Sequence, residues 1–172
     1  MPKAIIPIVF ALAITVMPPA AAGARTHLDV NEQDRTFLRQ AHQGNLAEIQ
    51  AGQAAQDMGA GKAVRELGAK LVSDHTKMDG DVSRVAKQVG VDLPDKPSEV
   101  QRRQLGELAA KSGEAFDRAW LAAQIAGHRQ SLANGAKELR KGSSPEVKQL
   151  ATDAKPIVQT HLDLLMEAKG GT

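Results

Sequence analysis

Three histidines and one glutamate stand where helical periodicity would bring them to one level of a shared core. At 100° per residue, His75 falls within about 20° of Val64 and Val82, in the middle of an otherwise apolar stripe. His128 interrupts the stripe between Leu121 and Leu132, and His161 interrupts the one between Leu150 and Leu165. Glu48 has Ala41 and Ala55 each two turns away, one on either side, on the same face. Counted from the neighbouring turns, the members of each helix pair differ in height by only ~4.5 Å, less than one turn. Three imidazoles and a carboxylate can hold Zn, Cu, Fe or Mn as a single transition metal ion. Asp79 and Gln124, each one turn from a histidine, could add a ligand or orient a ring, and Asp117 lies farther along the His128 face. The same groups can also satisfy one another as a hydrogen-bonded network that sets helix register without an ion.

Other chemistries lack their residues. Dinuclear carboxylate sites use Glu-x-x-His on two helices, whereas Val72 and Val158 stand three residues before His75 and His161. The chain has no cysteine and no tyrosine, which excludes thiolate ligands, a thiol nucleophile, disulfides and a tyrosyl radical. Ser73 and Ser131 lie near histidines in sequence, but that proximity is common and does not define a nucleophile–base pair. The reading therefore favours binding over catalysis.

Positioning these side chains requires long helices, and the sequence supplies them. Past residue 30, Ala, Leu, Gln, Lys, Arg and Glu dominate, with little β-branched alternation. Breakers divide the chain into helices at about 34–58, 62–89 and 114–141, a short one at about 98–111, and a last one running to about 168. Ser98 and Gln101 form a capping-box pattern, Ser144-Pro145 opens the last helix, and Pro156 within it should cause a kink. Gly59-Ala60-Gly61 and Gly142–Pro145 make tight antiparallel turns, while the segment between Gly90 and Ser112 is long enough to cross the bundle. The expected fold is all-α: a ferritin-like antiparallel four-helix bundle with a long crossover carrying a short extra helix between helices two and three. Phe37, Leu38, Leu67, Leu71, Trp120, Leu132, Leu139, Val158 and Leu162 are among its expected core. Gly52, Gly68, Gly127 and Gly135 suggest close helix approach.

Residues 1–24 read as a secretory signal peptide: Lys3, an apolar run from Ala4 to Met17, then small residues ending at Ala24. The run is too short for a membrane-spanning helix, so no transmembrane segment is expected after cleavage. Residues 25–33 should be a flexible arm, 34–168 the bundle, and 169–172 a tail. With 22 basic and 20 acidic residues and 2% aromatics, the chain lacks the charge and stacking surface for nucleic acid.

The segments 37–55, 67–79, 116–128 and 156–162 carry Asp-His-Thr, Phe-Asp and Pro-x-x-x-x-His elements. They resemble an uncharacterised family of exported bacterial proteins, a domain-of-unknown-function family often labelled as outer-membrane proteins and grouped with ferritin-like folds. The resemblance covers roughly 34–168 and implies a bundle in the periplasm of a Gram-negative bacterium. It implies no reaction. The family motif includes the positions of Glu48, His75, Asp117, His128 and His161; an aromatic usually of tyrosine type follows Phe-Asp, where this chain has Trp120. Two functions compete: a metal-binding protein using Glu48, His75, His128 and His161, and a metal-free envelope or stress-related protein that binds an envelope partner or forms a homo-oligomer.

Overall fold

The computed structural model describes residues 30–170. The expected signal segment, most of the arm and the last two residues lie outside that range. Five helices follow in order: α1 (Glu32–Met58), α2 (Lys62–Val89), α3 (Glu99–Ala109), α4 (Gly113–Lys141) and α5 (Pro145–Gly170). The expected boundaries differ from these by a residue or two. The start of α1 moves into the expected arm because Asn31 caps it: its side chain accepts from the Asp34 N–H, while Asp34 accepts from the Asn31 N–H. The same reciprocal cap, Ser98 with Gln101, opens α3. Gly90, in the left-handed region at φ 70°, ends α2. Helix α5 continues through Pro156, whose ring lies at an exposed position.

The four long helices form an all-α bundle. α1 packs along α2 and α4 along α5, while α1 also lies beside α4 and α2 beside α5. The ends fix the directions. The start of α1 bonds to the α4–α5 turn through Asn31 and Ser143, and the α1–α2 turn donates its Ala60 and Gly61 N–H groups to Asp117 at the start of α4. Neighbouring long helices therefore run antiparallel, and the chain from α2 to α4 returns along the outside of the bundle. On the way, α3 lies against α1 and α4. No helix among the described residues is long and apolar enough to cross a membrane.

Apolar burial is divided into two clusters. One gathers Trp120, Phe116, Leu121, Leu71, Leu162 and Leu165; the other gathers Phe37, Leu38, Val82, Val85, Val89 and Val147. Between them on α1 and α2 stand Asn45 and His75, both buried. One core expectation fails at the end of α4. Leu139 is 39% exposed, and Glu138 takes the interior position at 0%. The start of α1 brings Gln33 and the Asp34 carboxylate against this turn, so the position that faces inward meets polar groups instead of an apolar wall.

Of the interior glycines, Gly52 and Gly68 mark close approach. A Cβ on Gly52 would lie 2.6 Å from the Gly68 carbonyl oxygen, and one on Gly68 would lie 2.6 Å from the Gly52 carbonyl oxygen. Gly135 has no such crowding, and Gly127 instead leaves room for the Glu48 carboxylate. Backbone cannot yield as a flexible side chain can. Gly52→Ala should therefore cost about 1–3 kcal/mol despite alanine's better helix propensity. Gly80→Ala, where a Cβ meets nothing within 4 Å, should be neutral or stabilising by up to about 1 kcal/mol. Urea denaturation of both variants checks the contrast.

Candidate metal centre

His75 continues the inward stripe of α2 through Val64, Gly68, Leu71 and Val82. His128 follows Leu121, Gln124 and Ile125 on α4, and His161 follows Val158 on α5. All three imidazoles are buried, and their ring centroids are 5.4–5.6 Å apart. Each offers one nitrogen to a common point, with the three donor atoms within 4.8 Å of one another.

The opposite nitrogen of each ring fixes its tautomer. His161 Nε2 lies 2.9 Å from Asp74 Oδ2, His128 Nδ1 lies 2.9 Å from the Gln124 backbone oxygen, and His75 Nδ1 lies 2.9 Å from Asn45 Oδ1. These partners only accept, so each of those nitrogens carries the proton and donates. The inward nitrogens are then unprotonated: His161 Nδ1, His128 Nε2 and His75 Nε2. His128 Nε2 and His161 Nδ1 face each other at 3.4 Å as two lone pairs, and His75 Nε2 has no partner among the described residues. A tetrahedral ion at 2.0–2.1 Å needs donors about 3.3 Å apart, which this pair already nearly meets.

Protonation does not relieve the repulsion at neutral pH. Burial, reinforced by the other two rings, pushes His75 down to about 3, and burial pushes His128 down to about 4. His161 is also lowered by burial, against the opposing pull of Asp74. Burial alone would raise Asp74, but the hydrogen bond from His161 and the Lys70 ammonium outweigh it and hold the carboxyl below its usual range. Lys70 Nζ stands 2.9 Å from Asp74 Oδ2. Asp74 thus remains an anion behind His161, an arrangement that raises the basicity of a ligating imidazole.

Of the other expected site residues, Glu48 and Gln124 reach only the outer side of His128, and Asp79 and Asp117 go elsewhere. Glu48, expected beside the three rings, lies on the outer side of His128, its Oε1 3.8 Å from Nδ1 and away from the converging nitrogens. Burial pushes its carboxyl up to about 8. Hydrogen bonding sets the Gln124 amide with its nitrogen toward Glu48, donating to Oε1 at 2.9 Å and also to Oε2. Gln124 therefore meets the site twice, through its carbonyl on His128 and its side chain on Glu48. Asp79 pairs with His42 at 2.7 Å, and Asp117 holds the α1–α2 turn.

Two contributors escaped sequence reasoning. Asn45 lies seven residues after Leu38 and seven before Gly52, squarely on the inward stripe of α1, but its amide is neither titratable nor a common ligand. Asp74 precedes His75, so it points about 100° away on α2, toward α5 rather than into the centre. Its partner, His161, is 87 residues away.

Comparison with known proteins places the chain among sequences without an assigned activity. The profile of DUF4142, described as a domain of unknown function, matches residues 18–167. No curated protein matches the chain. Among solved structures, a DUF305 fragment from Deinococcus radiodurans is similar, with TM-score 0.73 and 15% identity, over 83% of this chain and 99% of that one. At that identity the likeness is one of fold.

Proposed function

The chain belongs to the DUF4142 family, and from the chemistry of its buried histidines we propose that it binds one transition metal ion. In this reading it is an exported protein of the Gram-negative periplasm, and its antiparallel bundle with a long crossover has ferritin-like topology. One observation carries the metal assignment. Three imidazole lone pairs converge in a buried space while every outer ring nitrogen is already committed to an acceptor. Lone pairs so arranged repel unless a cation sits between them. His75, His128 and His161 would hold the ion, and an all-nitrogen set suits Zn, Cu or Fe better than Mn. Glu48 acts through its contact with His128 in this reading, as an outer neighbour of the ligand.

A second reading has its own support. Imidazoles packed edge to face, as His75 and His128 are at 86°, can fill a core without an ion. The metal-free reading makes the protein an envelope-binding or self-associating bundle and predicts that His75→Leu is neutral or stabilising.

Elemental analysis of untagged protein from the periplasm separates them. The metal reading expects about one ion per chain in the wild type and background levels in the His75→Ala/His161→Ala double variant. Equal trace metal in both samples would discard it.

A further inference from the structure

Alongside the histidines lies a cavity of about 500 Å³, a size typical of small-molecule sites at ~300–1,000 Å³. His75, His128, Asn45 and Glu48 belong to its polar lining, as do the charged Asp81, Arg84, Asp153 and Lys155, and Phe37, Ala51, Leu105 and Leu108 contribute apolar wall. Two of these lining residues carry buried atoms without a partner among the described residues: the donor Asn45 Nδ2 and the acceptor His75 Nε2. Asn45 is only 5% exposed, so bulk water does not solvate its amide.

Charge decides what the cavity should hold. A divalent ion on three neutral imidazoles brings its full charge into a buried site, where an anionic fourth donor is strongly favoured. No carboxylate among the described residues joins the three converging nitrogens. Glu48 is outside His128, and Asp74 is behind His161. The anion must come from solution, and the cavity reaches two of the ligand rings.

We infer that this cavity binds a small monocarboxylate with an apolar body. One carboxylate oxygen completes the metal's coordination and the other accepts from Asn45 Nδ2, while the hydrocarbon lies along Phe37, Ala51 and the α3 leucines. The inference rests on the metal reading of the same three histidines and adds the class of ligand.

Cobalt(II) replaces the metal and octanoate serves as the probe, because cobalt's visible spectrum reports its donors directly. Octanoate should change the spectrum of the cobalt-loaded full-length protein saturably, and octanol should not. Gly44 lines the cavity and a Cβ there meets nothing within 4 Å, so the side chain of Gly44→Leu starts in open space and takes cavity volume. It should keep the cobalt spectrum of the ligand-free protein and weaken octanoate at least tenfold. Leu105→Trp, on the separate helix α3, gives a second block should the first variant fold poorly. A cobalt spectrum that ignores octanoate, follows octanol equally, or responds unchanged in both blocked variants overturns the carboxylate site and leaves the metal reading standing. Absence of any cobalt spectrum in the wild type overturns both.

Discussion

Zinc at a thousandfold excess over its dissociation constant should raise the Tm of the metal-free protein by roughly 8–16 °C. Binding at that excess contributes about 4 kcal/mol, and a domain of this size shifts by about 2–4 °C per kcal/mol. His161→Ala should show no such rise, because it removes one of the three donors that converge among the described residues. Asp74→Asn should keep a smaller one. It loses the anion behind His161, which costs about 10–100-fold in affinity. Thermal melts followed by circular dichroism, with calorimetric titration for the affinities, test both. A zinc-induced rise of equal size in wild type and His161→Ala would place the ion elsewhere and end the assignment.

The same imidazoles set the acid side of the stability profile. His75 and His128 are pushed below their ordinary value of 6.5, to about 3 and about 4. The unfolded chain therefore binds more protons, and the stability these groups contribute is present above 6.5 and lost as pH falls from there toward 4 and 3. Each buried imidazole can cost up to about 1.4 kcal/mol per pH unit in that window. Protons compete for His75 and His128 within the fold only near the bottom of the window. Acid should therefore release the ion chiefly by unfolding the bundle, not by titrating an intact site.

At the far end of the bundle, two substitutions in one carboxyl pair should act in opposite directions. Asp34→Ala should destabilise by about 2–4 kcal/mol, because it removes half of the α1 capping box and the one carboxylate to which four N–H and O–H groups donate, the Ser144 N–H among them buried. Asp34 accepts from the Asn31 N–H at 2.7 Å, the Ser143 hydroxyl at 2.6 Å, and the Ser143 and Ser144 N–H groups at 3.0 and 3.1 Å. It joins the start of α1 to the α4–α5 turn. Burial alone would raise Asp34, but these donors and Glu138 outweigh it and lower its carboxyl. Glu138 is pushed the other way, to about 7, by burial and by the adjacent Asp34 carboxylate. Protonated, it donates to Asp34.

With its folded value raised above 4.5, Glu138 contributes stability that is complete below 4.5 and lost as pH rises through 7. Glu138→Gln supplies a permanent N–H donor of nearly the same shape. It should stabilise the protein at pH 8 by about 2–3 kcal/mol and flatten the profile between pH 5 and 8. Urea denaturation across that range checks the sign, and an unchanged slope in Glu138→Gln would remove Glu138 as its source.

The one-dimensional pattern determined the helices because their causes are local. Breakers at Gly59–Gly61 and Gly142–Pro145, the Ser98–Gln101 cap and the 3.6-residue apolar spacing act within a few residues of chain, and α2 matches its expected limits, Lys62–Val89. Periodicity also determined that His75, His128 and His161 face inward, since an inward stripe is a property of one helix at a time. What each ring touches across the bundle is not. Asp74 behind His161, Asn45 behind His75, and Glu48 beside the outer nitrogen of His128 depend on the relative rotation and rise of helices 30 to 87 residues apart. Those depend in turn on contacts such as the one between Gly52 and Gly68. The exchange of Leu139 for Glu138 at the end of α4 has the same origin. A single-helix wheel assumes an apolar interior, and only the docked start of α1 makes that part of the interior polar. Sequence therefore determined that the three histidines and most of the apolar stripes lie inside. Tertiary packing decided which nitrogen of each imidazole is free, and with it whether three buried histidines repel one another or hold a cation.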